Sequence, residues 1–303
     1  MIDLKGLFPP LATPFKADES LDEAALRDLV HLLLPNVDGV IVNGTTGDFP
    51  LLDRAERRRT LEVVVDVVNG AKPVLAGTGA PSTHEALVLT QDAQEVGADG
   101  VMIVAPYYLR PSAAGLLRHF ADIAAALPDL PIVLYNFPQL VGQPIPVEVV
   151  QRLQAEHPNV VGMKDTSGDL TYMLHVLEVV EPSFQVLVGR GTVVVPGLAA
   201  GAVGAVLADA NLIPQRWQAL LKAARAGEWE AARAQQYELQ ALTRFMGRGA
   251  SLVVRAGLEL LGQPIGPPRR PLTFEGVLTD EDWEALRMLL DKLSPPPPSS
   301  SVG

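Results

Sequence analysis

Lys164 stands in an unusual setting for a lysine in this 303-residue chain. It ends the run Val160-Val161-Gly162-Met163-Lys164, which reads as a buried strand. Alternation along a strand puts Lys164, Gly162 and Val160 on one face and turns Met163 and Asp165 to the other. If the first face is interior, an ammonium sits among apolar residues without its neighbouring carboxylate. Burial disfavours the charged form of a lysine. An ordinary lysine is neutral in only roughly 1 in 2,500 molecules at pH 7, a handicap of about 4.6 kcal/mol for a nucleophile. A desolvated lysine escapes most of that, as imine formation on a carbonyl substrate requires. The same spacing also suits a lysine that snorkels to the rim or is salt-bridged there.

Tyr135 terminates a similar run, Leu134-Tyr135-Asn136-Phe137-Pro138. A phenol there can shuttle protons, or can be a core tyrosine with its hydroxyl satisfied. Gly44-Thr45-Thr46-Gly47 is a small turn whose amides and two hydroxyls could cradle a carboxylate, although Gly and Thr are ordinary turn formers. Other motifs are poorer. Gly77-Thr78-Gly79 is a partial dinucleotide fingerprint, but Ser82 takes the place of its third glycine. The strand after it ends Ala105-Pro106-Tyr107, without the acidic residue a ribose needs, which argues against a nicotinamide-dependent reductase. His31, His84, His119, His157 and His175 are scattered without metal-ligand spacing, so no metal is expected. The Asp165–Asp169 run lacks a full calcium-ligand set and reads as a helix-capping turn. Arg57-Arg58-Arg59 alternates with acids and reads as a solvated helix face.

Composition narrows the class further. The chain is 48 % hydrophobic and 19 % charged, a globular balance. Its net charge of −11 lacks the basic footprint of a nucleic-acid binder or a polybasic membrane segment. With no cysteine there is no disulfide, thiolate nucleophile or thiolate metal site. MIDLKGLFPP shows no cationic segment before an apolar one, and the longest uncharged apolar run, Val193–Ala208, is too short to span a bilayer. A cytoplasmic protein is the expectation.

The elements that must position these residues recur regularly. β-Branched apolar runs ending in Gly, Pro, Asn or Thr occur at 6–15, 38–45, 72–79, 99–106, 131–138, 160–167, 184–191 and 201–211. Their continuity suits strands buried on both faces of a parallel sheet. Most intervals read as amphipathic helices. Ser20 with Glu23 and Ser82 with Glu85 have capping-box spacing, and 53–69 carries Leu61, Val64, Val65 and Val68 on one face. Eight strands with helices between them predict an α/β chain folded as a TIM (β/α)8 barrel over about 6–226; an open doubly wound sheet is the competitor. Beyond Asn211 only helical patterns follow, at 214–226, 228–246, 251–261 and 279–293. We read the helices of 227–293 as a C-terminal appendix to a single unit, 1–293, and 294–303 as a disordered Pro/Ser tail.

A barrel presents its chemistry at the C-terminal ends of its strands. Those ends hold Thr13, the 44–47 turn, Thr78, Tyr107-Tyr108, Tyr135-Asn136, Lys164, Arg190 and Asn211. Four segments among them, in order, resemble the dihydrodipicolinate synthase / N-acetylneuraminate lyase family of class I, pyruvate-dependent aldolases. They are Gly44-Thr45-Thr46-Gly47-Asp48, Pro106-Tyr107-Tyr108 with Arg110-Pro111, Tyr135-Asn136-Phe137-Pro138, and Gly162-Met163-Lys164-Asp165. The likeness runs from about Gly6 to Leu293.

The resemblance implies an imine between Lys164 and a 2-oxo acid, pyruvate, with Tyr135 as acid and base beside it. It implies that Thr45 passes the proton on and that Tyr108 of a neighbouring subunit completes the relay, so a homodimer or homotetramer is expected. Thr45 and Thr46, with Gly44 in the same turn, would hold the carboxylate, and Gly189 would line the pocket. No cofactor beyond the covalent imine is implied. One position departs from the pattern: the family's lysine-biosynthetic synthases carry an arginine where Leu140 stands after Gln139. Losing such a carboxylate contact costs on the order of 1.5–3 kcal/mol in recognition. The expectation is therefore an aldolase cleaving a 2-keto-3-deoxy sugar acid or a 4-hydroxy-2-oxo acid to pyruvate and an aldehyde, with Gln139 toward the hydroxyls. 4-Hydroxy-tetrahydrodipicolinate synthase is the alternative, and a catalytically silent 2-oxo acid binding protein a second one.

Overall fold

In the computed structural model, which describes residues 2–293, the apolar runs become eight parallel strands. These are β1 (Gly6–Leu7), β2 (Val40–Val42), β3 (Val74–Gly77), β4 (Gly100–Val104), β5 (Ile132–Asn136), β6 (Val160–Asp165), β7 (Gln185–Val188) and β8 (Gly204–Ala205). Each pairs with the next from β2 to β8, and β8 pairs with β1. Backbone bonds close the last seam: Asp38 N–H to the Leu7 carbonyl at 2.9 Å, Ile41 N–H to Pro9 at 3.0 Å, and Leu11 N–H to Ile41 at 2.8 Å. The predicted barrel is present. The runs are continuously apolar because one face fills the barrel and the other packs under helices.

The first and last runs are shorter strands than their composition suggested, two residues each. Pro9, Pro10 and Pro14 have no N–H to give a ladder, so the first run leaves the sheet early, keeping one bridge from Pro10 to Ile41. The last turns into a 3-10 segment at Ala208–Asn211. The Ser20–Glu23 box does not form. Helix Glu23–Leu33 is capped by Asp22, which accepts from Ala25 N–H at 3.1 Å, while Ser20 bonds back to Asp18. Ser82 does cap its helix, Thr83–Val96, accepting from Glu85 N–H. Helix Arg54–Val68 carries a complete box from Asp53 and Glu56.

Arg57 overturns the reading of a solvated arginine run. Arg58 and Arg59 pair with acids on the outer side, but Arg57 is buried beneath the barrel mouth. Its guanidinium donates to the Gly77 carbonyl at 2.8 Å and the Gly79 carbonyl at 3.3 Å, and lies 5.0 Å from the Phe49 ring centroid. Carbonyls at the end of β3 thus satisfy both terminal nitrogens of the buried guanidinium without a counter-charge, while its Nε has no hydrogen-bond partner among the described residues. Burial pushes the guanidinium down to about 10.

Past Asn211, helices Pro214–Arg225, Trp229–Phe245, Ala250–Leu260 and Asp280–Leu293 match the helical patterns closely. They bury Trp217, Leu239, Leu242, Leu258 and Leu286 in the same apolar core as the strands. The expected tail, 294–303, lies outside the described residues. Among the described residues no helix is long and apolar enough to cross a membrane, and no three His, Asp or Glu side chains gather as metal ligands.

One buried carboxyl gives a test of this packing. Asp209, just past β8, accepts from Thr243 Oγ1 at 3.0 Å and makes no ion pair among the described residues. Burial raises its carboxyl from 3.8 to about 6. The folded chain therefore holds this proton more tightly than the unfolded chain. Its contribution is most favourable below the unfolded value and is lost as pH rises to about 6. Asp209→Asn keeps the acceptor for Thr243 and removes the ionisation. Urea melts should show the variant more stable by on the order of 1–3 kcal/mol at pH 7, with the gap closing toward pH 4.

Candidate active site

Strands β5 and β6 set the site by their register, in which Tyr135 lies opposite Lys164 and Asn136 opposite Asp165. The second pair is locked. Asn136 donates through Nδ2 to Asp165 Oδ1 at 2.7 Å and accepts through Oδ1 from Ile145 N–H at 2.9 Å. The other Asp165 oxygen accepts from Ser167 Oγ at 2.8 Å. Burial raises the Asp165 carboxyl above its ordinary value, and these hydrogen bonds hold it back. As strand alternation required, Asp165 forms no ion pair with Lys164.

Lys164 is 4 % exposed and has no ion-pair or hydrogen-bond partner among the described residues. Its Nζ stands 3.9 Å from the centroid of the Tyr135 ring. The lysine thus neither snorkels to the rim nor rests on a carboxylate. Tyr135 is equally buried, and its hydroxyl is 3.2 Å from Thr45 Oγ1. Gly189 leaves room for this group: a Cβ there would come 3.0 Å from Lys164 Cε and 2.1 Å from Thr166 Oγ1.

The Thr45–Gly47 turn carries Thr45 partly accessible and Thr46 buried. It is bracketed by Asn43 and Asp48, both in the left-handed region. Asn43 bonds to the Arg57 carbonyl at 2.7 Å and accepts from Thr60 Oγ1 at 2.8 Å. Asp48 lies 3.6 Å from Arg255, and Arg255 also donates to the Thr13 carbonyl at 2.9 Å. Burial raises the Asp48 carboxyl and lowers the Arg255 guanidinium. Gly44 sits where a Cβ would press on Pro10 at 3.2 Å. A narrow cleft lies between Gly44, Thr45, Phe49, Met102, Val104 and Tyr135.

Lys164, Tyr135, Thr45, Thr46, Gly44 and Gly189 are therefore gathered at one end of the barrel. Tyr108 is not among them: it is 94 % exposed, with φ +72°, on the loop after β4. Gln139 and Leu140 lie on the rim, in the short helix Pro138–Val141. Gln139 Nε2 donates to the Ser167 carbonyl at 2.7 Å, and Leu140 is 61 % exposed. The Gly77-Thr78-Gly79 run has a packing reason: a Cβ at Gly77 would meet the Asn43 carbonyl at 2.1 Å, and one at Gly79 the Val104 N at 2.8 Å. Sequence reading passed over Asn43, Asp48 and Arg255 as parts of the site. Only Asp48 carried a local signal, through its place beside the turn.

Comparison with known proteins bears on the whole chain. The model of the dihydrodipicolinate synthetase family matches residues 3–292. The chain belongs to that family. A 4-hydroxy-tetrahydrodipicolinate synthase of Methanopyrus kandleri is 40 % identical over 293 residues, which is 96 % of either chain. A dihydrodipicolinate synthase structure from Bacillus anthracis superposes with a TM-score of 0.92 at 35 % identity, covering 98 % of this chain and 100 % of the other. A prophage protein of E. coli K12 belonging to the dihydrodipicolinic acid synthase family, solved in complex with pyruvate, gives 0.90 at 32 % identity, over 96 % and 98 %. The family likeness read from four short segments and the barrel read from eight apolar runs are borne out, and the chain is a lyase of this family.

The lock between β5 and β6 is directly testable. Asn136→Ala leaves the buried Asp165 oxygen and the Ile145 N–H each short of a partner. Denaturant unfolding should show a loss on the order of 2–4 kcal/mol. A loss below the scatter of surface substitutions would mean that the pair does not hold the register.

Proposed function

We propose that this family member joins pyruvate to an aldehyde, reversibly, through an imine on Lys164. The observation that carries the reading is an unpartnered, buried amine 3.9 Å from the Tyr135 ring, with the Tyr135 hydroxyl 3.2 Å from Thr45. Lys164 Nζ attacks C2 of pyruvate, and the carbinolamine loses its oxygen as water with a proton from Tyr135. The protonated imine draws electrons from C3, a C3 proton leaves, and the enamine carbon bonds to the aldehyde carbon while the aldehyde oxygen takes a proton. Water, or an amine on the acceptor, then displaces Lys164. In this scheme Thr45 relays the proton, Thr45, Thr46 and Gly44 hold the pyruvate carboxylate, and Gly189 keeps the space around Lys164 open. The imine itself is the electron sink, so the scheme calls on no metal or nucleotide.

Tyr108 enters the proposal through a second copy of the chain. A tyrosine at φ +72° carries about 1–2 kcal/mol of backbone strain, and this one projects into solvent. Insertion beside Thr45 of another subunit would complete the relay, making the working form a homodimer or homotetramer. A cytoplasmic setting belongs to the same proposal.

For the aldehyde, the relatives reverse the order expected from the sequence. Those 36–41 % identical to this chain are named 4-hydroxy-tetrahydrodipicolinate synthase, which favours the synthase over sugar-acid cleavage. That product has seven carbons, five in a six-membered nitrogen ring and two as carboxylates. Subtracting pyruvate leaves a four-carbon amino acid bearing an aldehyde, whose amine closes the ring and releases Lys164. The second reading, an aldolase for 2-keto-3-deoxy sugar acids or 4-hydroxy-2-oxo acids, rests on Leu140 and on the free carbonyl of Gln139.

Intact mass after pyruvate and borohydride should show one adduct, mapping to Lys164 and missing from Lys164→Ala. Tyr135→Phe should lower kcat by on the order of 10²–10⁴. Ring-product formation with aspartate semialdehyde, set against pyruvate release from 2-keto-3-deoxygluconate, separates the two readings. Folded wild-type protein that gives no adduct would sink the mechanism. A fully active monomer would remove the shared role of Tyr108.

A further inference from the structure

We propose that Arg255 is a positioning residue for the pyruvate half of the reaction: paired with Asp48, it holds the Thr45–Gly47 turn where Thr45 meets Tyr135. This extends the imine reading above and rests on it. Arg255 lies on helix Ala250–Leu260, well past the last barrel strand. It is nevertheless 2 % exposed, and its guanidinium reaches the turn by two routes. Nη2 stands 3.6 Å from Asp48 Oδ2, the one carboxylate within ion-pair distance among the described residues. The same nitrogen donates to the Thr13 carbonyl at 2.9 Å, and Thr13 Oγ1 donates to the Gly47 carbonyl at 2.7 Å.

The far side of the guanidinium is anchored. Nη1 donates to the carbonyls of Ile265 at 2.9 Å and Gly266 at 3.1 Å, and Cζ lies 5.4 Å from the Phe15 ring centroid. A Cβ at Gly266 would meet the Phe15 carbonyl at 1.8 Å, so this segment is pressed against the first barrel run. Arg255 cannot move away from Asp48 without breaking these bonds. Within the turn, Asp48 N–H donates to the Thr45 carbonyl at 3.1 Å and Gly47 N–H to the Gly44 carbonyl at 3.0 Å. A displacement of Asp48 or Gly47 is therefore passed to Thr45, whose Oγ1 is 3.2 Å from the Tyr135 hydroxyl.

Energetics point the same way. Burying an ion pair costs the hydration of both partners, and apolar residues of the same volume are often as stable or more so. This pair is a poor stabilising device, since Asp48 Oδ2 and Arg255 Nε have no hydrogen-bond partner among the described residues. What it supplies is fixed placement, because neither charge can leave the other without being stranded. Asp48 needs that hold: its backbone is left-handed at φ +53°, which a residue other than glycine keeps under constraint. Arg255 also offsets the negative charge of Asp48, which would oppose an anion at the hydroxyls and amides beside it.

Borohydride trapping of Lys164 over a range of pyruvate concentrations, read by intact mass, gives a half-saturating concentration and a maximal rate. Asp48→Asn removes one charge and keeps the left-handed backbone, as Asn43 does on the other side of the turn. Arg255→Met removes the other charge, and the double variant leaves neither stranded, so it decides the matter where a single variant is unfolded. Each should raise half-saturating pyruvate about 10-fold or more, with the double variant no worse than the poorer single one. Arg255→Lys, which keeps the charge beside Asp48 without the fork of carbonyl bonds, should recover part of the loss. A purely structural role would lower the amount of folded, trappable protein and leave half-saturation in place. Folded variants within about 2-fold of the wild-type half-saturating pyruvate overturn the role of the pair, as does a double loss equal to the product of the single ones. A double variant that does not fold makes the pair a folding requirement and overturns that role too. No adduct on the wild type overturns the Lys164 reading and this one with it.

Discussion

The bond between Asn136 and Asp165 is the constraint on which the site depends. It joins two fully buried side chains on neighbouring parallel strands at 2.7 Å, one residue beyond Tyr135 and Lys164. A slip of one residue between the two strands would turn either Tyr135 or Lys164 to the opposite face. Apolar strands have little to prevent such a slip, since Val, Ile and Leu pack in either register. A buried carboxylate that loses its donor is penalised at once, so polar pairing selects the register that apolar packing leaves open. The neighbouring strand is drawn in by the same residues. Gly189 N–H donates to the Asp165 carbonyl at 2.7 Å, and Thr166 N–H to the Asn136 carbonyl at 2.9 Å. The geometry around Lys164 is thus set by groups to which the proposed mechanism gives no step.

Much of this was legible in the sequence because it is local. Strand ends, the lysine at the end of β6 and the turn at 44–47 each lie within one short segment, and period-two alternation places Asp165 opposite to Lys164. Helix caps were less secure. Asp22 competes with Ser20 for the same helix, and a carboxylate nearer the first turn wins. What could not be read depends on contacts between distant segments. Arg57 looks like its two neighbours until β3 offers it carbonyls, and Arg255 reaches the 44–48 turn from a helix late in the chain. Tyr108 shows the same limit: its segment is recognisable, but a single chain leaves it in solvent.

The two halves of the site are built on different principles. The half that the proposal gives to pyruvate has Lys164 and Tyr135 buried and placed by strand pairing, and Thr45 placed by a turn braced from two directions. The half that it gives to the acceptor lies on loops and a four-residue helix, where Leu140 and Gln139 are exposed. Such a division lets one imine chemistry serve several aldehydes, because loop side chains change without disturbing the strands. Hence the family is far easier to establish than the acceptor.

Charge also weighs on that division. A chain with a net charge of −11 repels an anionic acceptor at long range, so affinity for a carboxylate must come from short-range donors at the mouth. Most of the arginines withdrawn from water are engaged with acids or carbonyls and add little to the local field. In the proposed mechanism the imine nitrogen is protonated, which puts a positive charge in the mouth at the moment the acceptor binds. On that proposal the binding order follows from electrostatics, an anionic acceptor being held best after pyruvate has reacted with Lys164.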